Sequence, residues 1–125
     1  MQIAIPTDGD NQDAQINDRF GRCRRFLLVD AATGSFAALD NGQSAGSPSP
    51  GIVSAQMLIN HGVDAVIASS CGPNACKLFE AAGITVVTGV SGRIRDAVVR
   101  FTAERDEWSN PGPGEGNVED RDRQR

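Results

Sequence analysis

Two of the three cysteines lie between a predicted strand and a predicted helix, where the chain could bind an anionic or thiophilic group. The apolar run 63–68 is typical of a buried strand, and the helix predicted after it ends at Gly83. Pro73 suits the first helical turn, because the N–H that it lacks would have no partner there. Backbone N–H groups and the positive end of the helix dipole would then face Cys71. Such a position favours bound anions and predicts a lowered thiol pKa at Cys71.

A second candidate binding site is a cysteine flanked in sequence by arginines. Arg19, Arg22, Arg24 and Arg25 fall within seven positions and enclose Cys23. Guanidinium groups stabilise a thiolate and attract an anionic ligand. The alternative interpretation is a solvated basic turn with an incidental cysteine, and composition alone does not separate the two. The turn 89–93 carries a similar ambiguity between a glycine-containing anion loop and a tight turn that caps a helix.

The cysteines leave several chemistries open. Cys71 and Cys76 are candidates for a reversible disulfide, for soft-metal ligands, or for small core residues, and Cys76 suits the core best. With one histidine and no Cys-x-x-Cys pair, the chain lacks the pattern of a structural zinc site. A bound metal would need an incomplete protein shell, a second subunit, or a cluster with its own sulfur ligands. A thiol enzyme that uses Cys71 is the runner-up, although position 77 holds Lys rather than a phosphate-clamping arginine.

Alternating strand and helix patterns predict an α/β domain over residues 1–107. The predicted sheet is mixed and five-stranded, with the first, fourth and fifth strands parallel, a hairpin as the antiparallel pair, and helices on both faces. The predicted strands are 2–6, 25–30, 35–40, 63–68 and 84–88, and the predicted helices are 52–61, 73–82 and 92–105, with Ser91 as a helix cap. Ligands of such sheets bind beyond the carboxyl ends of the parallel strands, where loops 7–24, 69–74 and 89–92 would converge.

Composition restricts the class of protein. The net charge is −4 over 125 residues, and most of it comes from the polar tail 108–125 and the residues just before it, which we expect to be disordered. No stretch predicts a signal peptide or a membrane span. We therefore expect a cytoplasmic monomer or weak homodimer that binds neither nucleic acid nor membranes.

The ordered motifs resemble the dinitrogenase iron–molybdenum cofactor biosynthesis family, which includes NifX-like and NafY-like carriers and the C-terminal domain of NifB. The resemblance covers residues 1 to about 105. It is carried by the segments 3–6, 18–23, 62–67, 71–75, 82–84 and 88–92. Where the nitrogenase carriers have a His-Phe-Gly segment with a candidate ligand histidine, this chain has Arg19, Phe20 and Gly21. A histidine role therefore does not carry over.

The resemblance implies a three-layer α/β/α, ribonuclease-H-like fold and a role as a non-enzymatic carrier of metal–sulfur clusters. The implied cargo is a molybdenum–copper sulfide or an iron–molybdenum or iron–sulfur cluster, exchanged with donor or acceptor proteins. A regulatory domain with an empty pocket is a further alternative. Cys71 and Cys23 are the candidate metal ligands, with Cys76 a weaker one. The candidate cluster-binding residues are Arg19, Phe20, Gly21, Arg22, Arg24, Gly72, Pro73, Asn74, Ser91, Gly92 and Arg93.

Overall fold

Five strands form one mixed sheet in a computed structural model that describes residues 1–42 and 46–108. The strands are β1 (Gln2–Thr7), β2 (Arg25–Asp30), β3 (Phe36–Asp40), β4 (Ala65–Ile67) and β5 (Thr85–Val87). Their order across the sheet is β3-β2-β1-β4-β5. The central strand β1 pairs antiparallel with β2 and parallel with β4, and β5 continues the parallel half.

Three helices within the described residues cover the two faces of this sheet. They are α1 (Pro50–Asn60), α2 (Pro73–Ala81) and α3 (Ile94–Trp108). Side chains of α1 and α2 pack with one face of the sheet in a core that includes Phe26, Leu58 and Phe79. The opposite face packs against α3 through residues such as Ile94 and Phe101. The predicted fold class, a mixed five-stranded sheet between helical layers, is confirmed.

Most element boundaries differ from the predicted ones by one to three residues, and two differences have identifiable reasons. Pro6 does not end β1 but lies within it, opposite Phe26. The parallel pairing with β4 involves only Ile3 and Ala4, so the ladder on that side needs no N–H from Pro6. Ser91 does not cap α3, because the carbonyl of Arg93 accepts the first helical hydrogen bond, from Ala97 N–H at 3.1 Å.

None of the described helices is both long and apolar enough to cross a membrane. The disordered tail predicted over 108–125 lies, apart from Trp108 at the end of α3, outside the described residues.

Candidate anion-binding site

The loops after the three parallel strands meet at one edge of the sheet and are tied together by hydrogen bonds. Ile16 N–H donates to the Gly92 carbonyl at 2.8 Å, and Gly89 N–H donates to the Ser69 carbonyl at 2.9 Å. The Ser70 hydroxyl donates to the Asp18 carbonyl at 3.1 Å. The structure thus brings together loops that lie up to about 80 positions apart in sequence, at the edge where parallel sheets bind ligands.

Two adjacent open cavities lie at this edge. The first has a volume of about 420 Å³ and is formed between the segment 18–22, the start of α1 and the start of α2; its lining residues are Asp18, Arg19, Phe20, Gly21, Arg22, Pro50, Gly51, Ser70 and Gly72. The second, of about 550 Å³, lies between the loops after β1, β4 and β5, and its lining includes Asp8, Ser91 and Gly92. Asp18 lines both cavities. We call the first one the α1–α2 cavity.

The α1–α2 cavity is bordered by the N-termini of two helices that lack side-chain caps. Neither Ser49 before α1 nor Gly72 before α2 caps its helix through a side chain, and both helices begin with proline. Among the described residues, no acceptor is bonded to the N–H groups of Gly51 and Asn74 in the first turns. Unpaired N–H groups and two helix dipoles make this border electropositive.

Charged side chains add to that potential. Arg19 and Arg22 line the α1–α2 cavity and are exposed, and one carboxylate, Asp18, opposes them. If each helix N-terminus counts as roughly half a positive charge, the cavity carries about +2 in total. Its electrostatics therefore favour a compact anion over a cation.

Phe20 and Gly21 hold the arginine-bearing segment against the protein. Phe20 is only 5% exposed, and its ring centroid lies 5.3 Å from that of Phe26 and 5.7 Å from that of Phe79. Gly21 lies so close to the start of α1 that a Cβ there would be 2.4 Å from the Gly51 nitrogen. Both residues were predicted to bind a cluster, and both line the α1–α2 cavity. Phe20 also packs in the core, and Gly21 forms the contact between the segment and α1.

Asn41, which no sequence pattern marked, holds the same segment in place through buried hydrogen bonds. It is 1% exposed, and its amide donates to the carbonyls of Cys23 at 2.9 Å and Gly21 at 3.2 Å. The Ser54 hydroxyl donates to the Asn41 side-chain oxygen at 2.9 Å. One buried amide thus links the end of β3, the segment 21–23 and α1. The only sequence signal was a polar residue directly after an apolar strand, which is common at turns.

Cys23 does not face either cavity. It is fully buried in the core cluster beneath α1 and α2, and its sulfur accepts a long contact of 3.6 Å from the Asn41 amide. Burial raises the pKa of the Cys23 thiol to about 12, with a smaller contribution from the nearby Asp8 carboxylate. The thiol is neutral at physiological pH, so this placement does not support the predicted role as a metal ligand.

The predicted lowering of the Cys71 pKa is wrong. Partial burial and the neighbouring Cys76 thiol raise the pKa of Cys71 to about 12, because both disfavour the thiolate. Cys71 packs against the core cluster, whereas its neighbours Ser70 and Gly72 line the α1–α2 cavity. A neutral Cys71 gives no support to the thiol-enzyme alternative, whose nucleophile would have to ionise.

The remaining predicted residues are divided between the site and its surroundings. Pro73 and Asn74 form the first turn of α2 behind Gly72. Arg24 is exposed but does not line either cavity; its backbone N–H donates to Asp8 at 3.0 Å. Arg93 pairs through its backbone with Gln15 and likewise lies outside both linings.

Comparison with known proteins identifies the family that the chain matches. The profile of the family described as "Dinitrogenase iron-molybdenum cofactor" matches residues 1–104. The uncharacterized protein MJ0580 of Methanocaldococcus jannaschii is 30% identical in an alignment of 104 residues that covers 81% of this chain and 85% of that protein.

Solved structures show the same fold. The apo form of the orange protein from Desulfovibrio gigas superposes with a TM-score of 0.79 at 36% identity, covering 83% of this chain and 88% of that one. A NifB candidate from Thermotoga, TM1290, gives a TM-score of 0.70 at 31% identity, covering 83% of this chain and 89% of that one.

Proposed function

Because the chain belongs to the dinitrogenase iron-molybdenum cofactor family, we propose that it binds and carries an anionic metal–sulfur cluster in the α1–α2 cavity. The family is associated with the binding or biosynthesis of the iron–molybdenum cofactor. We propose the finer role, cluster carriage without catalysis, for this chain. Its cargo would be exchanged with donor and acceptor proteins in the cytoplasm.

The observation that carries the proposal is the convergence of two uncapped helix N-termini and two arginines on one open cavity of about 420 Å³. Metal–sulfur clusters with terminal sulfides are compact anions, and the positive ends of two helix dipoles at the border of the cavity favour such anions. Arg19 and Arg22 would supply long-range attraction and charge-assisted hydrogen bonds.

Binding without protein thiolates suits a carrier. The cluster would bring its own sulfide ligands, so that no metal–cysteine bond has to break on release. The fully buried Cys23 and the neutral Cys71 are consistent with this electrostatic mode. The openness of the cavity toward solvent would let an acceptor protein approach the cargo directly.

Anaerobic reconstitution tests the proposal. The protein is incubated with tetrathiomolybdate and copper, and separately with iron and sulfide, then desalted and analysed by visible absorption and elemental analysis. We expect retained colour with stoichiometric metal in one mixture, and the metal retained identifies the cluster type. A colourless, metal-free protein from every mixture would refute cluster carriage by this chain.

Charge variants test whether the α1–α2 cavity is the binding site. Replacing Arg19 and Arg22 by Gln removes two charge-assisted interactions, each of about 1.5 kcal/mol or more, and should weaken binding by about tenfold or more per arginine. Arg24→Gln is the matched control, because it removes the same charge from the same segment outside the cavity. Asp18→Asn should tighten binding, since it removes the opposing carboxylate. Equal losses in the Arg24 and Arg22 variants would place the cluster elsewhere.

A further inference from the structure

Cys71 and Cys76 form a pair of neighbouring cysteines, neither of which lines the α1–α2 cavity. In the convention for helix ends, Gly72 is the N-cap of α2 and Pro73 its first residue, so Cys71 is N′ and Cys76 is N4. Side chains at N′ and N4 pack against each other when a helix begins with a hydrophobic staple. Here the two staple positions are both cysteines.

Local contacts place the Cys76 thiol against Cys71. The Cys76 thiol donates to the Cys71 carbonyl at 3.6 Å, and the backbone N–H of Cys76 donates to the Gly72 carbonyl at 3.0 Å. The Cys71 side chain also interacts directly with that of Cys76, which contributes to the raised pKa of Cys71. Both are free cysteines and both are partly exposed. Cys76 in addition lines a small cavity of about 240 Å³ beside β5, through which an ion could reach the pair.

The donor set restricts which metal could bind. No group of three or more Cys, His, Asp or Glu side chains that could hold a metal occurs in the described part of the chain, so the pair lacks a third ligand. Zinc requires four ligands in structural sites, and hard cations prefer oxygen. Two thiolates alone suit a soft cation that accepts two sulfur ligands, such as Cu⁺.

We propose that Cys71 and Cys76 are a two-coordinate thiolate site for a single Cu⁺ ion. Binding forms two Cu–S bonds and releases both thiol protons, so that one Cu⁺ and two neutral thiols give a bis-thiolate complex of charge −1 and two protons. The first turn of α2 stabilises this negative charge through its dipole and its unpaired N–H groups. The site goes beyond the proposed function, because neither cysteine lines the α1–α2 cavity.

Competition for Cu⁺ against bicinchoninate, under anaerobic conditions with fully reduced protein, tests the site. We expect one Cu⁺ per chain, and a loss of affinity of at least about 100-fold in both Cys71→Ser and Cys76→Ser. Cys23→Ala is the matched control and should bind normally, because Cys23 is buried apart from the pair.

Further measurements separate this site from alternatives. X-ray absorption of the loaded protein should show two sulfur neighbours, and Zn²⁺ should be removed by desalting. The variant in which Gln replaces both Arg19 and Arg22 should keep its Cu⁺ affinity even if it loses the anionic cluster, so the two proposals fail independently. Thermal unfolding establishes that the serine variants are folded. Unchanged Cu⁺ binding in a folded Cys71→Ser or Cys76→Ser variant, or the formation of a Cys71–Cys76 disulfide in place of metal binding, would overturn the proposal.

Discussion

Gly21→Ala perturbs the contact that shapes the α1–α2 cavity. A Cβ at this position would lie 2.4 Å from the Gly51 nitrogen, 2.6 Å from the Pro50 carbonyl carbon and 2.8 Å from the Gly51 Cα. All three are backbone atoms, so no flexible side chain can move aside. The segment 18–22 or the start of α1 must shift by roughly 1 Å to restore ordinary van der Waals distances.

The size of the expected loss in stability depends on the contacts that resist this shift. Phe20 is held between two aromatic rings, and the Gly21 carbonyl accepts a hydrogen bond from buried Asn41. Overpacking of a rigid site costs about 1–3 kcal/mol, and in a domain of this size each kcal/mol lowers Tm by roughly 4–8 °C. A shift of about 1 Å between Arg19 and the N–H groups of α1 should also weaken anion binding by about tenfold, since charge-assisted hydrogen bonds depend steeply on geometry.

Guanidinium unfolding and a titration with tetrathiomolybdate measure the two effects. Gly51→Ala is the matched control, because it adds a methyl group to the same contact where only the Ala75 Cβ lies nearby, at 4.0 Å. That control should leave stability unchanged or raise it by about 0.5–1 kcal/mol through helix propensity. If Gly21→Ala were as stable as Gly51→Ala and bound the anion equally well, the close approach would not constrain the site.

Variants at three further positions test how the segment is anchored and how the Cys23 thiol titrates. Asn41→Ala leaves the carbonyls of Gly21 and Cys23 without their buried donor. It should lower the free energy of unfolding by about 1–3 kcal/mol, measured by chemical denaturation. A change below about 0.5 kcal/mol would contradict a stabilising role of the buried hydrogen bonds. Phe20→Ala should cost about 3–5 kcal/mol, and Phe20→Leu markedly less, in the same assay. Because the Cys23 pKa is raised from 9.0 to about 12 in the folded protein, the unfolded chain loses this proton first, so stability should fall by about 1.4 kcal/mol per unit between pH 9 and 12. Cys23→Ala should remove this contribution and leave that of Cys71, whose pKa is also raised to about 12. An unchanged slope in the variant would assign the pH dependence to groups other than Cys23.

The boundaries of the strands and helices could be predicted closely from local sequence. The centre of the run Arg25–Asp30 consists of large or β-branched apolar residues, which are typical of a buried strand. The strand predicted from this run coincides with β2. Helix α2 begins at Pro73 as predicted, because proline fixes a helical φ and needs no N–H partner in the first turn. The parallel arrangement of the first, fourth and fifth strands was also predicted, since alternating strand and helix patterns imply parallel crossovers.

Side-chain roles within the segment 18–25 could not be predicted, because they depend on contacts with distant parts of the chain. The sequence showed four arginines around a cysteine, but not that Cys23 lies inside the core or that Arg24 does not line the cavity. Asn41 and Gly51 gave no signal, since their partners are 10 to 30 positions away. The pKa of Cys71 depends on burial and on the packing of Cys76, and a helix N-terminus alone predicted the opposite direction.

The sequence by itself therefore determined the α/β pattern, the family and the presence of cations and thiols near helix starts. These are local or cumulative properties, which spacing and composition encode directly. The tertiary structure alone decided which cations share a cavity, which thiols are neutral, and that the N-termini of α1 and α2 border the same space. Those facts depend on distance and desolvation, which arise only when separate segments of the chain pack together.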